Sequence, residues 1–271
     1  MTSPHVILAK SGIHKIFPYF FALSLFIFSG VVAPLVLASA KTDYEYQYGQ
    51  YRLHYPEYKL LKADYLATPS LDNQQKTLLA AKQTIYSRDL AKASFAWYLM
   101  DLVAGTQANY EPLRPIVSSL AASREFYLQE SQQSQSVVTQ EDLKKFTEAY
   151  LKAVPHHDRM IKFGILGHKL ATLVRLQTDS KNALDSLIPR LPSTLPATLT
   201  ARIQELRDSA KIIDAKIDLL AKNLNIAEDE VAADAEIFFT SRVEKLAEIR
   251  TLQLDWINRL IDIEKNYAQS N

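Results

Sequence analysis

The 75 residues that follow Pro196 contain neither glycine nor proline. Within them, apolar side chains recur at alternating spacings of four and three residues, at Leu199, Ile203, Leu206, Ala210, Ile213, Ile217, Leu220 and Leu224. This period predicts a helix with a narrow coiled-coil seam. Asn223 and Asn225 mark a turn, and Asn225 with Glu228 resembles the N-cap pair of another helix. That helix has its own apolar stripe, at Val243, Leu246, Ile249, Leu252, Trp256, Leu260, Ile263 and Tyr267. The sequence therefore predicts a helical hairpin over 198–268.

The rest of the chain after Ala40 is also poor in breaks, with four glycines and no sustained period-2 alternation. Such a composition excludes a turn-rich β protein and favours helices. We predict helices over about 43–67, 71–103, 111–132, 139–154 and 156–187. Pro56 should kink or split the first of these helices, Gly105 should end the second, and Pro155 should separate the last two. The fold class is thus all-α, with long antiparallel helices forming a bundle plus the C-terminal hairpin.

Two segments predict the divisions of the chain. The polar run 131–136, SQQSQS, has the composition of a linker, and Thr139 with Asp142 forms a capping-box-like helix start after it. The prolines at 189, 192 and 196 predict an extended connector before the hairpin. We therefore expect an N-terminal helical region over 41–135 and a C-terminal helical region over 136–271.

The segment from Ile16 to Ala40 carries no charged side chain and is long enough to cross a bilayer as a helix. The n-region 1–15 before it has only basic charges, Lys10 and Lys15, which by the positive-inside rule keeps the N-terminus in the cytoplasm. The segment is either a signal peptide cleaved after the small-x-small sequence ending at Ala40, or a retained transmembrane anchor. Either reading predicts an extracytoplasmic protein whose membrane contact is made through 16–40.

Charge and cysteine usage exclude several classes of function. The net charge is +1, and without the two lysines of the first forty residues the remainder has 29 basic and 30 acidic side chains, a net charge of −1. A nucleic-acid partner is therefore not expected, because phosphate binding needs clustered Lys and Arg. The absence of cysteine excludes disulfides, thiolate metal ligands and a cysteine nucleophile.

The histidines are the candidates for chemistry. His156, His157 and Asp158 are adjacent, and His168 lies eleven residues further along. These are side chains that zinc accepts, but eleven helical residues rise about 16 Å, so His168 and His157 cannot share one ion on a straight helix. No nucleophile elbow and no phosphate-binding glycine loop is present. We therefore predict no catalytic residue, no metal ligand and no cofactor, and a protein that is not an enzyme.

The most unusual feature is a tyrosine-rich stretch near the start of the predicted helical region. Tyrosine offers rigid contact area with a polar tip, which suits a partner surface, although the same residues could pack against neighbouring helices. The candidate interaction face consists of Tyr44, Tyr48, Tyr51, Tyr55, Tyr58 and Tyr65.

The plan of one apolar N-terminal segment followed by helices resembles that of bacterial sensor ectodomains and cell-surface coiled-coil proteins, in architecture and without a shared motif. We expect a non-enzymatic, exported or membrane-tethered protein with a structural or protein-interaction role at the cell envelope. Self-association through its helices would be one form of that role. The alternative is an extracytoplasmic, sensor-like domain that binds a small ligand between its helices.

Overall fold

The computed structural model describes residues 39–107, 110–225 and 235–268. These ranges contain six α-helices and no strand, so the all-α prediction is confirmed. The helices are α1 (Ala40–Ala67), α2 (Leu71–Gln107), α3 (Arg114–Gln135), α4 (Gln140–Leu187), α5 (Ala197–Asn225) and α6 (Ala235–Ile263). A short 3-10 turn at Glu111–Leu113 precedes α3, and another at Ile188–Arg190 follows α4. A π turn at Glu264–Ala268 follows α6.

Helix α4 is 48 residues long and takes part in both ends of the bundle. Its first half packs with α2 and α3, and its second half packs with α5 and α6, while α1 packs on α2. Residues Ser39–Asn271 accordingly form one compact unit. The predicted boundary between the regions 41–135 and 136–271 falls on the short connection between α3 and α4.

The prediction that Pro155 ends a helix is wrong, because α4 runs through it without a break. Proline removes one backbone hydrogen bond, which leaves the carbonyl four residues earlier, on Leu151, without its helical donor. Both Pro155 and Leu151 lie on the exposed side of α4, where water can replace that donor. The predicted start of the helix is confirmed: Thr139 Oγ1 accepts from the Asp142 amide at 3.1 Å, and Asp142 Oδ2 accepts from the Thr139 amide at 2.9 Å.

Other local predictions are corrected in the same way. Helix α1 continues through the exposed Pro56, which excludes the predicted split and leaves the kink a prediction, and α2 continues past Gly105 to Gln107. The expected polar linker 131–136 is helical as far as Gln135. The hydroxyls of the buried Ser131 and Ser134 donate to backbone carbonyls three residues earlier, at 2.7 Å each. These polar side chains therefore form hydrogen bonds within the helix and do not interrupt it.

The C-terminal hairpin is confirmed, and all eight seam positions from Leu199 to Leu224 are buried. Opposite charges join its two antiparallel helices, Lys216 with Glu248 at 2.6 Å and Arg202 with Asp262 at 3.1 Å. The hairpin does not project alone, because the second half of α4 packs into it as a third helix. The 3-10 turn before the hairpin replaces part of the predicted extended connector, and Leu191 to Pro196 remain non-helical.

Buried polar side chains hold these three helices in register. Trp256 Nε1 on α6 donates to the Leu206 carbonyl of α5 at 2.7 Å. Gln253 Nε2, also on α6, donates to the Leu173 carbonyl of α4 at 2.8 Å, and Gln177 Nε2 on α4 donates to the Ala210 carbonyl of α5 at 3.2 Å. Each donor is buried, so a shift of one helix along another would leave an unsatisfied polar group in the core.

Helices α3 and α4 approach most closely where α4 has no side chain. A Cβ built on Gly164 would lie 2.7 Å from Leu120 Cδ2 and 3.1 Å from Leu99 Cδ1, and one on Gly167 would lie 3.1 Å from Ile116. Leu120 and Leu99 are themselves buried, so they have little room to move. Glycine is therefore required at position 164 by packing and not by backbone conformation.

We predict that Gly164→Ala lowers the free energy of unfolding by about 1 kcal/mol, because overpacking costs roughly 1–3 kcal/mol and the gain in helix propensity returns up to about 1 kcal/mol. Gly105→Ala is the matched control, since its Cβ would meet no atom within 4 Å, and it should stabilise α2 slightly. Urea denaturation of both variants measures the difference. Equal stabilities for the two variants would contradict the close approach of α3 and α4.

The predicted membrane segment 16–40 lies outside the described residues, apart from Ser39 and Ala40 at its end. Among the helices that are described, none is long and apolar enough to cross a membrane. The predicted N-cap pair of Asn225 and Glu228 cannot be placed either, because Glu228 falls outside the described residues, which reach Asn225 at the end of α5.

Candidate functional site

Helix α1 packs on α2 through tyrosines that recur every seven residues: Tyr44, Tyr51, Tyr58 and Tyr65, named here the tyrosine seam. All four are half-buried. The Tyr44 ring contacts Phe95 and Tyr98 of α2, with centroid distances of 4.8 Å and 6.1 Å. The seam buries large rings between the two helices, so it supplies apolar contact that holds α1 in place.

Three hydrogen bonds fix the antiparallel register of α1 on α2. The Thr77 hydroxyl of α2 donates to the Leu61 carbonyl of α1 at 2.9 Å, and seven residues later Thr84 donates to the His54 carbonyl at 3.1 Å. The Ser94 hydroxyl donates to the Asp43 carboxylate further along. A slip of one turn would break all three bonds together.

The structure divides the predicted tyrosine face into two sets. The four residues of the tyrosine seam face α2, whereas Tyr48 and Tyr55 remain 44% and 43% exposed at its edge. The tyrosines thus serve mainly as packing between α1 and α2. A partner on this face stays a prediction, and it could reach chiefly Tyr48 and Tyr55.

A second apolar stripe lies on the side of α1 that faces away from α2. Tyr46, Leu53 and Leu60 repeat every seven residues and are 54%, 66% and 64% exposed. Smaller uncharged residues occupy the positions between and after them. We name this surface the outer stripe, and it consists of Tyr46, Gly49, Leu53, Pro56, Leu60, Ala63 and Ala67.

Charges of opposite sign border the outer stripe on its two sides. Arg52 and Lys59 precede Leu53 and Leu60 by one residue, on one flank, and Glu57 and Asp64 follow those leucines by four, on the other. None of the four makes an ion pair within the part of the chain that the structure describes. The heptad spacing with charged flanks is the arrangement by which two-stranded coiled coils choose their partners.

A groove of about 420 Å³, open to solvent, lies where the end of α1 meets α2 and the start of α4. Its walls are mostly apolar, and Lys62 and Lys144 stand beside it. The lining residues include Tyr58, Tyr65, Leu66, Leu78 and Leu143. The groove falls within the volume range of small-ligand sites, but its open side would leave much of a ligand in water.

Beneath the surface, the half-buried Arg88 and the buried Asp89 of α2 form an ion pair that Tyr150 of α4 joins. Asp89 is fully buried and receives two hydrogen bonds from Arg88, Nε to Oδ1 at 2.8 Å and Nη2 to Oδ2 at 3.0 Å. The Tyr150 hydroxyl donates to Asp89 Oδ1 at 3.0 Å, and the Arg88 guanidinium stacks 4.1 Å from the Tyr150 ring centroid. Burial raises the pKa of the Asp89 carboxyl, while Arg88 and Tyr150 favour its ionised form.

A neighbouring set of contacts engages Asp158 of α4. Lys92 Nζ on α2 donates to Asp158 Oδ1 at 2.7 Å, and the Tyr127 hydroxyl on α3 donates to the same oxygen at 2.6 Å. Burial and the nearby carboxylates raise the pKa of the Tyr127 and Tyr150 hydroxyls, so both stay protonated and act as donors. The charges are matched inside the bundle, which supports a role in holding α2, α3 and α4 together.

The histidines considered as metal ligands make other contacts, and the rings of His156 and His157 touch at a centroid distance of 5.0 Å. His157 stacks on Phe126 at a centroid distance of 3.9 Å, and its Nδ1 lies 3.2 Å from the Ser123 hydroxyl. Burial lowers the pKa of His157, and also that of His168, whose ring contacts the Leu102 carbonyl. Within the described ranges, no group of three or more His, Asp or Glu side chains could hold a metal ion.

Arg88→Met should lower the free energy of unfolding by about 3 kcal/mol at pH 7.5, because it leaves the buried Asp89 carboxylate without its cation. The penalty should shrink at pH 5. Since burial raises the pKa of Asp89 in the folded state above its unfolded value, protonation as the pH falls favours the folded protein. Thermal and urea unfolding of wild type and variant at each pH give the two differences.

The double variant Arg88→Met with Asp89→Asn is the control for that experiment. It removes both charges, so it should recover part of the lost stability and show no extra pH dependence. A single variant whose penalty is the same at both pH values would show that Asp89 does not carry the buried charge.

No protein-family model matches this chain, and neither a curated protein nor a solved structure matches it. The function must therefore be inferred from the surfaces described above.

Two features of the site were missed by reasoning from sequence. The outer stripe has a signal in the sequence, the seven-residue spacing of Tyr46, Leu53 and Leu60, which the tyrosine pattern of the same helix obscures. The burial of Asp89 has no such signal, because an Arg-Asp dipeptide on a helix is usually on the surface.

Proposed function

We propose that this chain is a non-enzymatic, membrane-tethered helical protein that acts at the outer face of a membrane by pairing its helices with a protein partner. Residues 16–40 provide the membrane contact, and the outer stripe of α1 provides the contact with the partner. The observation that carries the proposal is the outer stripe itself, a heptad row of exposed leucine and tyrosine on a helix whose opposite face is already packed on α2.

The outer stripe supports an interaction role because exposed apolar rows carry a hydration cost. Single exposed apolar residues are ordinary, but a continuous row along a helix is typical of an interface. Tyr46, Leu53 and Leu60 would bury their side chains only against something outside the described unit. The charged flanks of the stripe add the specificity that such contacts need.

The internal polar groups support a non-enzymatic role. The buried Asp89 and the half-exposed Asp158 are each engaged by a cation and a tyrosine hydroxyl. His157 has a lowered pKa and is stacked on Phe126. A general base needs an accessible lone pair beside a space for substrate, and these contacts already engage Asp89, Asp158 Oδ1 and the His157 ring within the fold.

The start of α1 favours a retained anchor over a cleaved signal. Ser39 is the N-cap of α1, and its hydroxyl oxygen accepts from the Thr42 amide at 3.2 Å. Cleavage after Ala40 would remove this cap and the first helical residue, at a cost of about 1 kcal/mol for the cap alone. A retained anchor would be continuous in sequence with α1, so the outer stripe would belong to a chain that is tethered to the membrane.

We expect the native protein to sediment with membranes, to resist extraction by high salt and to dissolve in detergent. Mass spectrometry of its N-terminus should find residues that precede Ser39. The matched control is Phe26→Arg with Phe28→Arg, since each charge near a bilayer centre costs about 2.5–3.5 kcal/mol and should release the chain from the membrane. A wild-type protein freely dissolved in the cytosol would overturn the proposed location.

The groove favours one alternative function, an extracytoplasmic domain that binds a small apolar ligand carrying negative charge. Its apolar walls suit a hydrocarbon or aromatic body. Lys62 and Lys144 outnumber Glu148, the one acid of the lining, and would pair with an acidic group of the ligand. Such a ligand would stabilise the joint between α1 and α4.

The fluorescent probe anilinonaphthalene sulfonate has this chemistry and tests the alternative. If the groove is a binding site, the probe should bind saturably and raise the melting temperature, and Leu66→Glu should abolish both effects. Leu219→Glu, at a similarly exposed leucine of α5, should leave them unchanged. Equal loss in both variants, or no saturable binding, counts against the ligand-binding alternative.

A further inference from the structure

We propose that the partner of the outer stripe is the outer stripe of a second copy of this chain, paired in parallel and in register as a two-stranded coiled coil. The inference rests on the proposed function, because it names the partner of the same surface.

The residues of the outer stripe occupy the core positions of a heptad repeat. Tyr46, Leu53, Leu60 and Ala67 fall at one core position, and Gly49, Pro56 and Ala63 fall at the other. In a parallel pair in register each core residue faces its own copy, so layers of large side chains would alternate with layers of small ones. A Cβ built on Gly49 would meet no atom within 4 Å, so the space beside the helix is open there.

The position of α1 in the unit allows a second copy to approach. Helix α1 is packed on α2 through the tyrosine seam, and the outer stripe lies on the far side of the helix. Its 28 residues give a rod about 42 Å long. Two copies can therefore meet along α1 with the remainder of each bundle directed away from the contact.

The flanking charges select the parallel orientation. In a parallel coiled coil, the residue before one core position faces the residue five places further along on the partner helix. This rule places Arg52 opposite Glu57 and Lys59 opposite Asp64 of the second copy, so each contact joins opposite charges. In an antiparallel pair each flank would face itself, so Arg52 and Lys59 would meet each other, as would Glu57 and Asp64. Glu45, the one acid on the basic flank, is already paired with Lys41.

These four side chains are available for such contacts. None of them forms an ion pair among the described residues, whereas Lys41 and Glu45, one turn before Gly49, are paired with each other at 3.7 Å. Exposed ion pairs contribute little to affinity, but like charges are repelled, so the pattern acts mainly on orientation.

Membrane tethering would compensate for the low stability of a short coiled coil. Three heptads are marginal for a stable two-stranded pair in dilute solution. Two anchored copies share one membrane surface, which raises their effective concentration. The charge pattern then favours the parallel orientation, and the anchor makes the encounter of two copies more frequent.

Cysteine cross-linking tests the proposal directly, because the wild-type chain has no cysteine. Full-length Leu53→Cys and Leu60→Cys would be oxidised in whichever cell fraction holds the protein. In a parallel pair in register each introduced cysteine lies opposite its own copy, within the roughly 4.4–6.8 Å between Cα atoms that a disulfide requires. Each variant should therefore form a disulfide dimer of twice the chain mass.

Two controls establish orientation and specificity. The Leu53→Cys chain and the Leu60→Cys chain, carrying different tags, should give no mixed dimer when co-expressed. An antiparallel pair with Leu53 opposite Leu60 would instead give mainly the mixed product. Leu219→Cys, at a leucine of α5 with similar exposure, should remain monomeric under the same oxidation.

A charge exchange tests the flanks. Adding Arg52→Glu and Lys59→Glu to Leu53→Cys should lower the cross-linked fraction about tenfold, since four attractive contacts of the symmetric pair become repulsive. Adding Glu57→Lys and Asp64→Lys as well should restore it. These substitutions are at the surface, and circular dichroism with a melting curve verifies that every variant folds.

Three results would overturn the second copy as the partner. The thiol of the Leu53→Cys variant could cross-link to a different protein, could react freely with a water-soluble maleimide and form no dimer, or could be protected by lipid alone. A cross-link to a different protein in the membrane fraction would leave the proposed function standing. The fractionation locates the protein independently of the cross-link. A failure of the proposed self-pairing can therefore be distinguished from a failure of the proposed membrane location.

Discussion

The continuity of α4 is the constraint on which the described fold depends. Its first half forms the bundle with α2 and α3, and its second half is the third helix of the C-terminal hairpin, so one rigid element joins both ends. Pro155 lies about a third of the way along this helix and removes a backbone hydrogen bond, at a cost of about 3 kcal/mol in a helix interior. The helix survives because Pro155 and Leu151 face solvent while the apolar stripe on the other side, including Phe163, Leu166 and Leu170, is buried in the core.

The two faces of α1 show how one helix can have a structural and an interaction role. One face of α1 packs on α2 through the tyrosine seam and three hydrogen bonds from hydroxyl groups of α2. The outer stripe has the same seven-residue period on the opposite face and stays exposed. The contacts of the buried Asp89 and the half-exposed Asp158 have a different consequence: they join α2, α3 and α4 through matched charges, and such contacts specify one register at little net gain in stability. The specific polar contacts thus join helices within the protein, whereas the outer stripe remains free to contact a partner.

Local signals in the sequence predicted some elements correctly and others wrongly, and the difference is physical. The heptad row from Leu199 to Leu224 and the capping box at Thr139 are patterns whose meaning depends on the helix itself. Pro56, Gly105 and Pro155 are weak helix breakers, worth about 1–3 kcal/mol each, which tertiary packing can outweigh. The polar run 131–136 looked like a linker because composition alone does not show that serine hydroxyls can bond back to the helix backbone.

The sequence by itself determined the all-α class, the C-terminal hairpin and the tyrosine-rich start, since periodicity fixes which side chains share a face of a helix. Only the tertiary structure decided which face is buried. It placed the tyrosine seam against α2, left Tyr46, Leu53 and Leu60 in solvent, buried Asp89 beside Arg88 and brought Gly164 against Leu120. Those outcomes depend on which helices pack against each other. Contacts between helices that are distant in sequence are determined by the packing of the whole chain, and the periodicity of a single helix does not show them.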